Sequence, residues 1–154
     1  MPSPLRLCVR RSPAEDAGGA VTLVTLRLPS DVGCIEEAVE LVTRHCLAGH
    51  GAGAQTRFRL RVVLSEALSN AVVRGNGEDC RKWVDIRAEL HTEIIRLVVT
   101  DEGCGFDPAL VPEPILPDRL ARGDGRGLYL IRKLVDSVQF NEQGNSICMT
   151  LRRL

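Results

Sequence analysis

Apolar residues along this 154-residue chain recur with two periods, and the switches between them predict its elements. Residues 21–28, VTLVTLRL, are rich in β-branched and leucine side chains and predict a strand that ends at Pro29. Ser30-Asp31 then offer a helix N-cap, and Ile35, Ala38, Val39, Val42 and Cys46 follow at helical spacing up to Leu47. Gly49, Gly51 and Gly53 break the chain. A second helix is predicted from about Gln55 to Arg74, with Leu60, Val63, Leu64, Ala67, Leu68 and Ala71 as its stripe and Gly75-Asn76-Gly77 as its stop.

The period then changes to two. Val84, Ile86, Ala88 and Leu90 share one face of a strand over 83–90, with Asp85, Arg87 and Glu89 on the other. A turn near His91-Thr92 leads to a second strand, 94–101, where Ile95, Leu97, Val99 and Asp101 have one parity. Prolines at 108, 112, 114 and 117 disfavour regular structure over 107–124, and a loop of that length is usually functional or disordered. A helix follows from about Gly127 to Asp136, then strands 137–141 and 146–151 around a Gln143-Gly144-Asn145 turn. The order lacks βαβ alternation. It fits an α/β (α+β) two-layer sandwich, a mainly antiparallel sheet covered on one face by three helices. Residues 1–19, rich in Pro, Arg, Gly and Ala and without periodicity, read as a mobile arm, and 20–154 as one domain.

Composition narrows the function classes. Hydrophobic residues make up 44% and aromatics 3%, so the core must be aliphatic. Twenty basic residues balance 20 acidic ones, which gives no bulk attraction to nucleic acid or anionic membrane. No apolar run reaches membrane-spanning length, and Met1 to Arg6 carry no apolar signal core, so a cytoplasmic location is expected. The six cysteines form no CxxC pair and sit near no histidine at ligand spacing. They read as free thiols rather than as a zinc site.

Three segments can carry chemistry. Glu66 and Asn70 lie four apart on the second helix, so they point the same way at the border of its apolar stripe. Such polar groups are costly to bury without partners. Asp101 ends a strand with inward parity, and an inward carboxylate needs a donor, such as the amino group of a base. Gly103 and Gly105 after it permit close backbone approach or positive φ. Gly123, Gly125 and Gly127 alternate before the last helix, where exposed N–H groups and the helix dipole suit a phosphate, and Arg126 adds charge. Each segment has a plain structural alternative: a solvated helix face, an ordinary turn, a flexible hinge.

Their order is more specific than any one of them. An E-x-x-x-N helix, a DxGxG strand end, a proline-rich spacer and a GxGL helix start resemble the GHKL ATPase superfamily (Bergerat fold), which includes gyrase, heat-shock protein 90, histidine kinases and MutL. Within it the chain resembles bacterial anti-sigma-factor serine kinases. The resemblance is carried by residues 66–72 (EALSNAV), 101–108 (DEGCGFDP), 125–131 (GRGLYLI) and the spacer VPEPILPDRL, and it spans roughly 20 to 152. It implies that Asn70 is the Mg²⁺ ligand, Glu66 the general base and Asp101 the acceptor of the adenine amino group. Gly103, Gly105 and Phe106 would belong to the adenine-side turn, and Gly123, Gly125, Arg126, Gly127 and Leu128 to the phosphate side. Two departures stand out. Arg74-Gly75 follows where related chains often have His-Gly, which makes Arg74 a candidate nucleotide contact. Gly144-Asn145 stands for a common Gly-Thr, with Asn145 the candidate for the last phosphate contact.

The resemblance further implies an ATP/ADP- and Mg²⁺-dependent protein-serine kinase. It would phosphorylate an anti-sigma-factor antagonist, sequester an RNA polymerase sigma factor, and form a homodimer through the region around 31–48. That region's apolar face serves equally as core. Two alternatives stay open: a nucleotide-binding partner switch that transfers nothing, and a stand-alone histidine-kinase-like catalytic domain. Against the latter, His45, His50 and His91 lie on or beside short elements rather than on a long helical hairpin.

Overall fold

A computed structural model describes residues 3–13, 20–48, 53–105 and 126–153. Six strands form one open sheet: β1 (Arg6–Pro13), β2 (Ala20–Pro29), β3 (Trp83–Leu90), β4 (Ile94–Thr100), β5 (Ser137–Phe140) and β6 (Ser146–Arg152). Their spatial order is β1-β2-β3-β4-β6-β5, and every neighbouring pair is antiparallel. Among the described residues three α-helices accompany them: α1 (Ile35–Leu47), α2 (Ala54–Ser69) and α3 (Arg126–Leu134). This is the two-layer sandwich that the periodicity predicts.

Strands β2, β3, β4 and β6 each bury one parity. Val24, Leu26 and Leu28 of β2, Val84, Ile86 and Ala88 of β3, Ile95, Leu97 and Val99 of β4, and Met149 and Leu151 of β6 are all nearly inaccessible. They join one cluster with Ala38, Val39, Val42 and Cys46 of α1 and Leu60, Val63, Leu64, Ala67 and Leu68 of α2. The apolar face of α1 is therefore core. Arg59 of α2 is buried as well and ties the helices to the sheet. Its Nε donates to the Leu134 carbonyl at 2.6 Å, and its NH2 group to Asp136 Oδ2 at 3.2 Å.

The sequence differs from the structure at both ends of the core. Residues 6–13, read as part of a non-periodic arm, instead form β1, in register with β2 from Arg6↔Arg27 to Arg11↔Thr22. An edge strand is held by main-chain hydrogen bonds and needs no buried face, so it leaves no strong hydrophobic period. Leu7 and Val9 of β1 are indeed exposed. The second predicted helix changes character before it ends. From Asn70 to Gly75 the chain is π-helical, closed by the Asn76 N–H to the Ala71 carbonyl at 2.8 Å. Such segments cluster at functional sites. Asp31 caps the 3₁₀ turn Val32–Cys34 by accepting from the Gly33 N–H, whereas Ser30 is fully buried and bonded elsewhere.

Candidate functional site

A pocket of about 310 Å³ opens where the end of α2, the turn after β4, the start of α3 and the β5–β6 hairpin meet. That is within the usual range for small-ligand sites. On its walls lie Asn70, Arg74, Asp101, Gly105, Gly127, Leu128 and Asn145, all singled out in the sequence. Ala67, Val99, Phe140 and Ile147 give it an apolar lining.

Asp101 is half-buried at the end of β4, with the parity of Val99 as predicted. Its Oδ1 accepts from the Gly103 N–H at 2.8 Å. Its backbone is clasped by Asn145, whose carbonyl accepts from the Asp101 N–H and whose Nδ2 donates to the Asp101 carbonyl at 3.1 Å. Burial raises the Asp101 pKa, opposed by the Gly103 hydrogen bond and by the charge of Lys82. A raised carboxylate in a cleft marks a candidate site. Gly105 has φ +76°, and a Cβ there would drive into the Gln143 backbone, so only glycine fits between this turn and the β5–β6 hairpin.

Asn70 begins the π segment, one turn after Glu66. Glu66 is half-buried and stands beside the pocket rather than on its wall, as does Gly103. A Cβ on Gly127 would come within 2.6 Å of Glu66 Oε2 and 3.5 Å of Asn70 Nδ2, so the missing side chain holds open the space between these two groups and the start of α3. Arg74 and Arg126 are exposed, and Leu128 is buried. Among the described residues no three His, Cys, Asp or Glu side chains cluster as a metal site. A hard cation here would draw on the Asn70 amide oxygen and on oxygens of a bound phosphate, a donor set that suits Mg²⁺.

The Asn145 side chain is already engaged: its Oδ1 accepts from Asn141 Nδ2 and its Nδ2 donates to the Asp101 carbonyl. Phe106, Gly123 and Gly125 lie outside the described residues.

Helix end, strand-end carboxylate and glycine-started helix thus face one cavity, in the order that the sequence constellation requires. The histidine kinase-like ATPase domain family matches residues 28–151. The chain belongs to that family. Among curated relatives of this histidine kinase-like ATPase domain, the serine-protein kinase RsbW of Bacillus subtilis is 34% identical over 99 residues, covering 59% of this chain and 61% of the relative. The anti-sigma F factor of the same organism is 29% identical over 97 residues, covering 59% and 66%. RsbW of Staphylococcus aureus is 33% identical over 99 residues, covering 58% and 62%. The matched part spans about three fifths of the length of these relatives.

Some of the site had no sequence signal. Phe140, Ser146 and Ile147 reach the pocket because β6 pairs with β4 across Val99↔Ile147 and Thr100↔Ser146, a pairing between distant segments. Asn76, part of the predicted helix stop, does cap the π segment, but nothing in the sequence marked it as only 3% exposed and in a hydrogen-bond hub behind the pocket. No helix among the described residues is long and apolar enough to cross a membrane.

Proposed function

We propose that this pocket binds ATP with Mg²⁺ and that the protein is an anti-sigma factor with serine-protein kinase activity. The observation that carries the reading is the convergence of Asn70, Asp101, Gly105 and Gly127 on one cavity in a chain of this ATPase family. The names of its relatives, serine-protein kinase and anti-sigma factor, support the rest. The partners are a sigma factor and a serine-bearing antagonist of the anti-sigma factor.

In this reading the ionised Asp101 accepts the adenine amino group, and the apolar walls from Val99, Phe140 and Ile147 exclude water around the base. The first N–H groups of α3, left unpaired by the helix, face the phosphates. Asn70 would hold Mg²⁺, which when bound neutralises phosphate charge. The substrate serine oxygen bonds to the γ-phosphorus, the bond to the β-bridging oxygen breaks, and ADP leaves. Glu66 takes the serine proton, a contribution of about 10²–10⁴-fold in rate. The chain otherwise works by positioning.

Nucleotide titration with and without Mg²⁺ on wild type, Asn70→Ala and Asp101→Asn tests the site. Equal ATP binding by all three refutes it. Phosphotransfer from labelled ATP by wild type and Glu66→Gln tests the base, with equal signal rejecting Glu66. A homodimer belongs to the same proposal. The open edge of β1, with Leu7 38% and Val9 47% exposed, supports it, and a monomer in sedimentation equilibrium refutes it.

A further inference from the structure

Behind the pocket, the buried Asn76 joins four segments of the chain. Its Nδ2 donates to Ser30 Oγ at 2.8 Å, at the end of β2, and to the Trp83 carbonyl at 3.0 Å, at the start of β3. Its Oδ1 accepts from the Glu102 N–H at 2.8 Å, in the turn after β4. Its own N–H closes the π segment on the Ala71 carbonyl. Ser30 Oγ donates onward to the Lys82 carbonyl at 2.8 Å. The two neighbours of Nδ2 are therefore both acceptors, and the neighbour of Oδ1 is a donor, which leaves the amide one orientation.

We propose that Asn76 is a positioning residue for the nucleotide base: it pins the Asp101–Gly103 turn against the end of the π segment and so sets where the Asp101 carboxylate meets the ligand. This rests on the nucleotide reading above. Two further contacts concentrate the load on this amide. Asp101 sits so close to the π segment that a Cβ on Gly75 would come within 2.7 Å of Asp101 Oδ1. Glu102, the residue pinned by Asn76, also accepts from the Trp83 N–H through its carboxylate. The turn is thus held from β3 and from the π segment, and Asn76 bonds to all three, through its side chain to Trp83 and Glu102 and through its backbone N–H to Ala71. Asn70 stands at the other end of the same π segment, so Asn76 also fixes the base side of the site relative to the metal side. A base acceptor displaced by a fraction of an ångström loses hydrogen-bond geometry steeply, so the penalty falls on base selectivity.

The test measures hydrogen bonds and binding separately, on the full chain. Amide hydrogen exchange without nucleotide reports the pin. Asn76→Ala should speed exchange at Glu102 and Gly103 by about tenfold or more, while Leu97 and Val99 inside β4 change little. Titration with ATP and GTP reports the consequence. Asn76→Ala should weaken ATP binding about tenfold and narrow the preference for ATP over GTP. Val42→Ala, in the core of α1, lowers stability without touching the hub and should keep that preference. Ser30→Ala removes one of the two acceptors of Nδ2 and should move both readouts in the same direction by less, which preserves the test if Asn76→Ala fails to fold. Unchanged exchange at Glu102 and Gly103 overturns the pin. Faster exchange with an unchanged ATP/GTP ratio overturns its link to the base. Wild-type protein that binds neither nucleotide overturns the nucleotide reading and this assignment with it, and the exchange data tell that failure from a wrong hydrogen-bond assignment.

Discussion

Replacing Asp101 by Asn changes one oxygen to an NH₂ group and alters almost nothing in shape, so its consequences separate binding from folding. In the folded chain Asp101 Oδ1 accepts from the Gly103 N–H at 2.8 Å, and an asparagine carbonyl oxygen can take the same hydrogen bond. Burial already penalises the ionised carboxylate, as its raised pKa shows. A neutral amide escapes that penalty, so Asp101→Asn should melt at or above the wild-type temperature. Nucleotide binding should move the other way. A hydrogen bond from the adenine amino group to a charged acceptor is worth about 1.5–3 kcal/mol, and two donors facing each other leave a buried polar group unsatisfied at about 1–3 kcal/mol. The sum of about 3 kcal/mol or more lowers ATP affinity about a hundredfold. Isothermal titration calorimetry of wild type and variant, with thermal melts of both without nucleotide, measures the two effects. Affinity within about threefold of wild type, a gap of under about 0.7 kcal/mol, refutes the assignment of Asp101 to the base. A large loss of affinity accompanied by an equal loss of stability refutes the claim that the effect is local.

Acidification should act on the same carboxylate with opposite signs for binding and stability. Ionised Asp101 is the stronger, charge-assisted acceptor and presents no competing O–H, so ATP binding weakens as pH falls through its raised pKa, at higher pH than an ordinary aspartate would require. Protonation relieves the buried charge, so the contribution of Asp101 to the stability of the nucleotide-free fold is complete below its unfolded pKa and lost as pH rises through the folded one; pH-dependent titration and melting, each compared with Asp101→Asn, check both signs. Gly105→Ala places a side chain at φ +76° against the Gln143 backbone, and strain of about 2 kcal/mol or more should lower the melting temperature by about 4 °C or more in calorimetry. Thiol labelling of the native protein at pH 8 should mark Cys8, Cys80 and Cys104, which are exposed, and spare Cys46, whose pKa burial pushes up to about 12. Mass-mapped modification of Cys46 at the rate of the exposed thiols contradicts that burial.

The sequence alone determined whatever repeats along a helix or strand or depends on one local segment. Period-two stripes placed β3 and β4, and their parity turned Asp101 inward before any fold was known. Helical spacing placed α1 and α2 with their buried faces, because each such face must meet the core at every turn. Glycines at a helix start and after a strand flagged the site, since only backbone freedom explains them there. Tertiary structure decided what arises between segments. The β1 edge lives on main-chain hydrogen bonds to β2 and writes no burial pattern into its side chains. The β4–β6 pairing brings Ile147 and Asn145 to Asp101 from more than forty residues away, through backbone bonds that carry no residue signature. Asn76 completes the contrast. In the chain it stands between two glycines as an ordinary helix stop, and only burial, which denies its amide water, makes its three side-chain hydrogen bonds obligatory and ties the parts of the site together.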